Sequence, residues 1–190
     1  MLDKSIPYFN VIMKRPAGTP IPNFLLPEGY SFAWFTEGKE QQWAEIEASV
    51  SEFLNTDDAL NYFRIEYLPF LSELKQRVLF IQNEKGNEVG TITGWWNMTE
   101  GKRDPSIHWF AVKKEYQNQG LGKALVCECL NRLSLLDGDN DIYLHTQTWS
   151  YKAIGIYLKV GFEIMKEESF SQYNNDYELA IPHLKKMLNI

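Results

Sequence analysis

Eight consecutive residues, Gln117-Asn118-Gln119-Gly120-Leu121-Gly122-Lys123-Ala124, constrain this chain more than any other stretch. They follow a strand-like run, Ile107-His108-Trp109-Phe110-Ala111-Val112, and open a helix-like run that continues to about Leu136. A chain that leaves a strand, turns through two glycines and enters a helix exposes backbone N–H groups that have no intrahelical partner. The helix dipole adds partial positive charge at that end, and glycine lets an anion approach the backbone closely. The arrangement predicts a phosphate-binding turn.

Spacing removes two common phosphate motifs. A P-loop requires a glycine, four residues, then Gly-Lys-Ser/Thr. Gln117 stands at that first glycine, and Ala124 replaces the hydroxyl residue. A dinucleotide fingerprint requires Gly or Ala three residues after Gly122, where this chain has Leu125. A second segment adds information: Ser150-Tyr151-Lys152-Ala153-Ile154-Gly155-Ile156-Tyr157-Leu158-Lys159-Val160-Gly161-Phe162. A strand-like run, Ile142 to Gln147, lies between the two. The order is therefore strand, glycine turn and helix, strand, helix ending at glycine, strand.

Taken together, the segments resemble the GCN5-related N-acetyltransferase (GNAT) superfamily. Gln-x-x-Gly-x-Gly is similar to its pyrophosphate loop, and the second segment to its Asn-x-x-Ala-hydrophobic-x-x-Tyr-x-x-x-Gly-Phe pattern. Ser150 departs from that pattern, standing where the family often has Asn. The similarity is strongest from Ile107 to Ile164. It implies an α/β fold with a mixed, mostly antiparallel, splayed central sheet and helices on both faces. It also implies acetyl-CoA as co-substrate and an amine as acceptor, with no metal.

The same resemblance assigns residues. Backbone amides of Gln119, Gly120, Gly122, Lys123 and Ala124 surround the pyrophosphate, with Gln117 and Leu121 in the same loop. Backbone groups of Phe110, Ala111 and Val112 run along the pantetheine arm, and Ser150 takes the position of its polar contact. Splaying near Val112 frees an N–H for the thioester oxygen. Tyr157 takes the position of the acid that protonates the departing sulfur; it also falls on an apolar stripe with Ala153 and Ile154, and the two roles are compatible. His108 is the expected base. Strand alternation places it on one face with Phe110 and Val112, arylalkylamine N-acetyltransferases also carry histidine on this strand, and an ordinary pKa near 6.5 suits proton abstraction. His145 on the neighbouring strand is a second choice, and water chains replace a side-chain base in many family members.

Composition sets the outer limits. The chain has 190 residues, 44% hydrophobic and 23% charged, as in a soluble globular protein. No apolar run reaches the length of a membrane span, and no basic-then-apolar leader opens the sequence. Cys127 and Cys129 sit two residues apart on an expected helix and point to different faces, so they do not bridge. Reduced cysteines without a leader predict a cytoplasmic protein. The net charge of −6 argues against a nucleic-acid partner and suits a cationic amine.

The rest of the chain reads as one domain over residues 29–190, preceded by a proline-rich arm, residues 1–28, in which Tyr8 to Lys14 has strand character. Tyr30 to Phe35 reads as a core strand. Trp43, Ile46 and Val50 recur at helical spacing. Thr56-Asp57-Asp58 is expected to cap a second helix that buries Leu60, Phe63 and Tyr67 and that Pro69 kinks or splits. Val78 to Gln82 and Glu88 to Trp96 predict a hairpin, Asn97 to Pro105 a polar loop. Strands are expected again near Phe162 to Lys166 and Asp176 to Ile181.

Trp34, Trp95, Trp96, Trp109 and Trp149 fall at strands or strand ends and read chiefly as core, with a cation–π wall for an amine as the alternative. Glu37, Glu40, Glu45 and Glu47 read as a solvated helix face. Two rival functions remain open on the sequence: transfer of a longer acyl group, and a non-catalytic acyl-CoA sensor. Homodimers are common in the superfamily, but no stripe here marks an interface.

Overall fold

The computed structural model describes residues 2–167 and 170–190. Its sheet has seven strands in the order β2-β3-β4-β5-β6-β1-β7. These are β1 (Asn10–Arg15), β2 (Tyr30–Trp34), β3 (Val78–Asn83), β4 (Glu88–Thr99), β5 (Lys102–Val112), β6 (Ile142–Gln147) and β7 (Glu163–Ile164). Six α-helices accompany them among the described residues: α1 (Glu40–Ser49), α2 (Thr56–Glu66), α3 (Leu71–Arg77), α4 (Leu121–Asp137), α5 (Tyr151–Lys159) and α6 (Tyr177–Leu188). Contacts divide the chain into two units. One holds residues 23–94 and 109–132, the other 2–22, 95–108 and 133–190. The chain of β4 and of β5 runs through both.

In the first unit, β2, β3 and β4 pair antiparallel, with Phe32 opposite Ile81 and Phe80 opposite Thr91. Gly86, at φ 75°, turns the β3–β4 hairpin where the sequence predicts it. Trp43 and Ile46 of α1 and Phe63 of α2 are fully buried with Phe35, Leu79 and Phe80. Pro69 splits the second helix as expected: α2 ends at Glu66, a 3₁₀ turn covers Leu68–Phe70, and α3 follows. The helix cap lies one residue earlier than expected. Asn55 Oδ1, not Thr56, accepts the Asp58 N–H at 2.8 Å.

In the second unit, β1 lies between β6 and β7 and pairs antiparallel with both, Met13 facing Leu144 on one side and Ile164 on the other. The proline-rich arm thus contributes a strand. The expected loop from Asn97 to Pro105 is instead a continuation of β4 and β5 around Glu100-Gly101. Both residues are left-handed, at φ 52° and 82°, which suits a two-residue hairpin turn. The expected strand at Asp176 to Ile181 is the start of α6, which buries Ala180 and Leu184 four residues apart. Cys127 and Cys129 are buried free thiols.

Gly161 ends α5 at φ 94°, and a Cβ there would lie 2.6 Å from Thr19 Cγ2. Gly161→Ala therefore combines left-handed strain with a clash. It should lower the unfolding free energy by about 2 kcal/mol in denaturant titration. Adding Thr19→Ala should recover part of the loss.

Candidate functional site

The glycine turn lies in the first unit. β5 ends at Val112, and Lys113 N–H donates to the Val89 carbonyl at 2.8 Å. A 3₁₀ turn, Lys114–Tyr116, follows. The Gln117 side-chain amide then reaches back and donates to the Val112 carbonyl at 2.8 Å. It braces the turn against the strand end. Asn118 and Gly120 are left-handed, at φ 64° and 89°, and carry the chain into α4. An added Cβ at Gly120 would meet only Pro27 Cγ, at 3.9 Å, so the turn's surface is open there.

The Gly120 carbonyl accepts the amides of Lys123 at 3.1 Å and Ala124 at 3.3 Å. Those two amides, which the resemblance places around the pyrophosphate, close the first turn of α4. Among the described residues, the amides of Gln119, Gly120, Leu121 and Gly122 have no hydrogen-bond acceptor. Such amides at a helix start are what an anion requires.

The arm's end meets this turn, which no spacing in the sequence announces. The Tyr30 hydroxyl donates to Gln119 Oε1 at 2.8 Å. Lys123 Nζ lies over the Phe24 ring, 5.1 Å from its centroid.

Strand β5 departs from simple alternation. Trp109 adopts φ 44°, rare for a bulky residue. Neighbours Ser106 and Ile107 are both buried, and so are Ala111 and Val112, while the three residues between are half-buried. The pleat slips at Trp109, so the alternation that grouped His108 with Phe110 and Val112 does not hold. The parallel register of β5 on β6 consists of one Cα pair, Ser106 opposite Tyr143.

His108, His145, Ser150 and Tyr157 belong to the second unit. His108 Nε2 and Ser106 Oγ are hydrogen-bonded at 2.9 Å. His145 Nε2 bonds Asn10 Oδ1 at 2.9 Å, and its ring stacks on Tyr173 at 3.7 Å. The expectation of an ordinary histidine pKa fails for both. Burial, and for His108 also the charge of His145, lowers each to about 4. Tyr157 lies on the buried side of α5, with its ring 5.6 Å from Phe162. Ser150 is the residue before α5 and makes no side-chain cap. Among the described residues, no group of three or more His, Cys, Asp or Glu could hold a metal ion, and no helix is long and apolar enough to cross a membrane.

Residues 28–162, which include both glycine segments, match the model of the acetyltransferase (GNAT) family. The chain belongs to the GNAT acetyltransferase family. It is 31% identical to N-acetyltransferase 8B of Rattus norvegicus over 143 residues, which are 74% of this chain and 57% of that one. The backbone is similar to a GCN5-related N-acetyltransferase from Sphaerobacter thermophilus, with TM-score 0.62, 20% identity, and coverage of 84% of this chain and 50% of the other. It is similar too to a GNAT-family acetyltransferase from Colwellia psychrerythraea, with TM-score 0.62, 12% identity, and coverage of 84% and 55%. The chain thus spans about half the length of these relatives. At such identities the two structures establish the GNAT fold: an open seven-stranded mixed sheet flanked by helices.

The two lowered histidines predict a linkage. Unfolded histidine titrates near 6.5 and folded His108 near 4. Between those values the unfolded chain binds more protons, so stability falls as pH drops from about 6.5 to 4. Melting temperatures across that window should show the slope, and His108→Gln should flatten it.

Proposed function

We propose that this chain is an acetyl-CoA-dependent N-acetyltransferase that acetylates a primary amine by direct attack in a ternary complex. The observation that carries the reading is the turn at Gln119–Gly122, where consecutive amides at the start of α4 have no acceptor among the described residues and the surface at Gly120 is open. Family membership supplies the acetyl donor. Residues 29–190 act as the acetyltransferase domain and residues 1–28 as an arm. The acceptor is a small molecule in a cytoplasmic setting.

The roles follow from acyl-transfer chemistry. The amides of Gln119, Gly120, Leu121 and Gly122 hold the pyrophosphate, and Gln117 keeps the turn in shape through Val112. The Phe110, Ala111 and Val112 backbone lines the pantetheine arm, and Ser150 adds a polar contact. The neutral amine attacks the thioester carbonyl, the C–S bond breaks, and the thiolate takes the proton of the Tyr157 hydroxyl. The amine's own proton leaves through water or His108. At a pKa of about 4 His108 is neutral in the working range, but it is a weak base.

Titration calorimetry should show micromolar acetyl-CoA binding that weakens with desphospho-CoA. No binding would overturn the reading; binding without thiol release across an amine panel would favour an acyl-CoA sensor.

Tyr157→Phe should lower turnover about tenfold or more while acetyl-CoA affinity stays within about twofold. Unchanged turnover would remove Tyr157 from the chemistry. If His108 takes the proton, the acid limb of the pH–rate profile lies near 4 and disappears in His108→Gln.

A further inference from the structure

Glu47 does not belong to the solvated row that its neighbours on α1 suggest. It is fully buried, and neither carboxylate oxygen has a hydrogen-bond partner among the described residues. One turn earlier on the same helix, Trp43 is equally buried and its indole N–H is equally unmet. Buried polar groups are nearly always satisfied, and one that is not calls for an explanation, such as a missing ligand.

The surroundings are aromatic. Phe63 lies 4.9 Å from the Trp43 ring, and Phe53 and Trp109 each lie 5.9 Å from it. Tyr62 contacts Phe53 at 5.5 Å and Trp109 at 5.1 Å. Trp43 and Phe63 are closed off from solvent, whereas Phe53, Tyr62 and Trp109 are half-buried. The cluster therefore has a buried floor, with Glu47 one helical turn from Trp43 on the same face of α1, and an accessible aromatic rim. Trp109 joins it from β5 through its left-handed backbone. Strain of that kind often marks a site where ring placement matters.

Aromatic faces attract cations, most strongly when water is excluded, and a carboxylate supplies the countercharge. We propose that Glu47 and the aromatic cluster around Trp43 form a recognition site for an ammonium group carried on an apolar body. Assigning that ammonium to the acetyl acceptor rests on the function proposed above; the binding site itself does not. Burial raises the Glu47 carboxyl well above its usual range and the charge of Glu52 adds to this, outweighing the opposing positive charge of the chain's N-terminus. An ammonium gives the ionised form a partner and reverses that effect.

The test is a titration of tryptophan emission without acetyl-CoA, using hexylammonium chloride and, as the neutral probe of similar shape, hexanol. The wild type should respond saturably to hexylammonium and bind it at least tenfold more tightly than hexanol. Glu47→Gln should weaken hexylammonium at least tenfold and leave hexanol unchanged. Equal binding of the two probes by the wild type, or undiminished hexylammonium binding by a folded Glu47→Gln, overturns the proposal. If Glu47→Gln does not fold, the wild-type comparison decides. Acetyl-CoA calorimetry on the same protein separates the two ideas. Glu47-dependent ammonium binding without acetyl-CoA binding keeps this site and removes the acetyltransferase reading; the reverse result removes only this site.

Discussion

One left-handed residue in the middle of β5 sets much of what surrounds it. Trp109 at φ 44° costs on the order of 1–3 kcal/mol, a cost that neighbouring structure must offset. Its ring does so against Trp43, Phe53 and Tyr62, at centroid separations of 5.9, 4.9 and 5.1 Å. Aromatic pairs of this kind contribute about 0.5–1.5 kcal/mol each beyond the area they bury. The slipped pleat then lets Ala111 and Val112 both be buried though they are adjacent. Opposite them stands Gly90, where a Cβ would come within 3.2 Å of the Ala111 carbonyl and of Val112 Cγ2. A side chain at Gly90 would require the strand end to give by a few tenths of an ångström. The Val112 carbonyl is thereby set to receive Gln117, and the turn that follows inherits its shape from the strand.

Glycine made the turn legible in the sequence, because Gly120 and Gly161 each stand where the chain needs a left-handed residue. Non-glycine residues in the same conformation left no such mark. Asn118, Trp109 and Glu100 all have positive φ, and the last two changed something that alternation or composition implied. Glu100 allowed β4 and β5 to continue through a stretch whose polarity suggests a loop. Pro182 lies inside α6 and argues against a helix, yet burial of Ala180 and Leu184 outweighs it. Local propensity lost to packing there, as it does wherever a helix has a buried stripe to satisfy. The contacts of Phe24 and Tyr30 with the turn are long-range, and nothing in the spacing of residues 24–30 encodes them.

Charge was the least legible property. His108 and His145 look alike in sequence to any surface histidine, but desolvation lowers both to about 4. The glutamates of α1 show the same limit. Their spacing places Glu40, Glu45 and Glu47 on one short helix, and only the fold separates Glu47 from solvent.

A comparison within the first unit shows why Glu47 stands apart. Glu88 is also buried, at 6% exposure. Burial alone would raise its carboxyl, but hydrogen bonds from Lys39 and Gln82, at 2.5 and 3.0 Å, outweigh that and leave it below its usual value. This is how a carboxylate is buried for structure: a cation and an amide are folded in with it. Glu47 has no such described partners, and a leucine or methionine of similar size would pack the same face of α1 without the desolvation cost. A buried acid without a hydrogen-bond partner among the described residues fits a partner from outside. The aromatic faces beside it define the chemistry that partner must have.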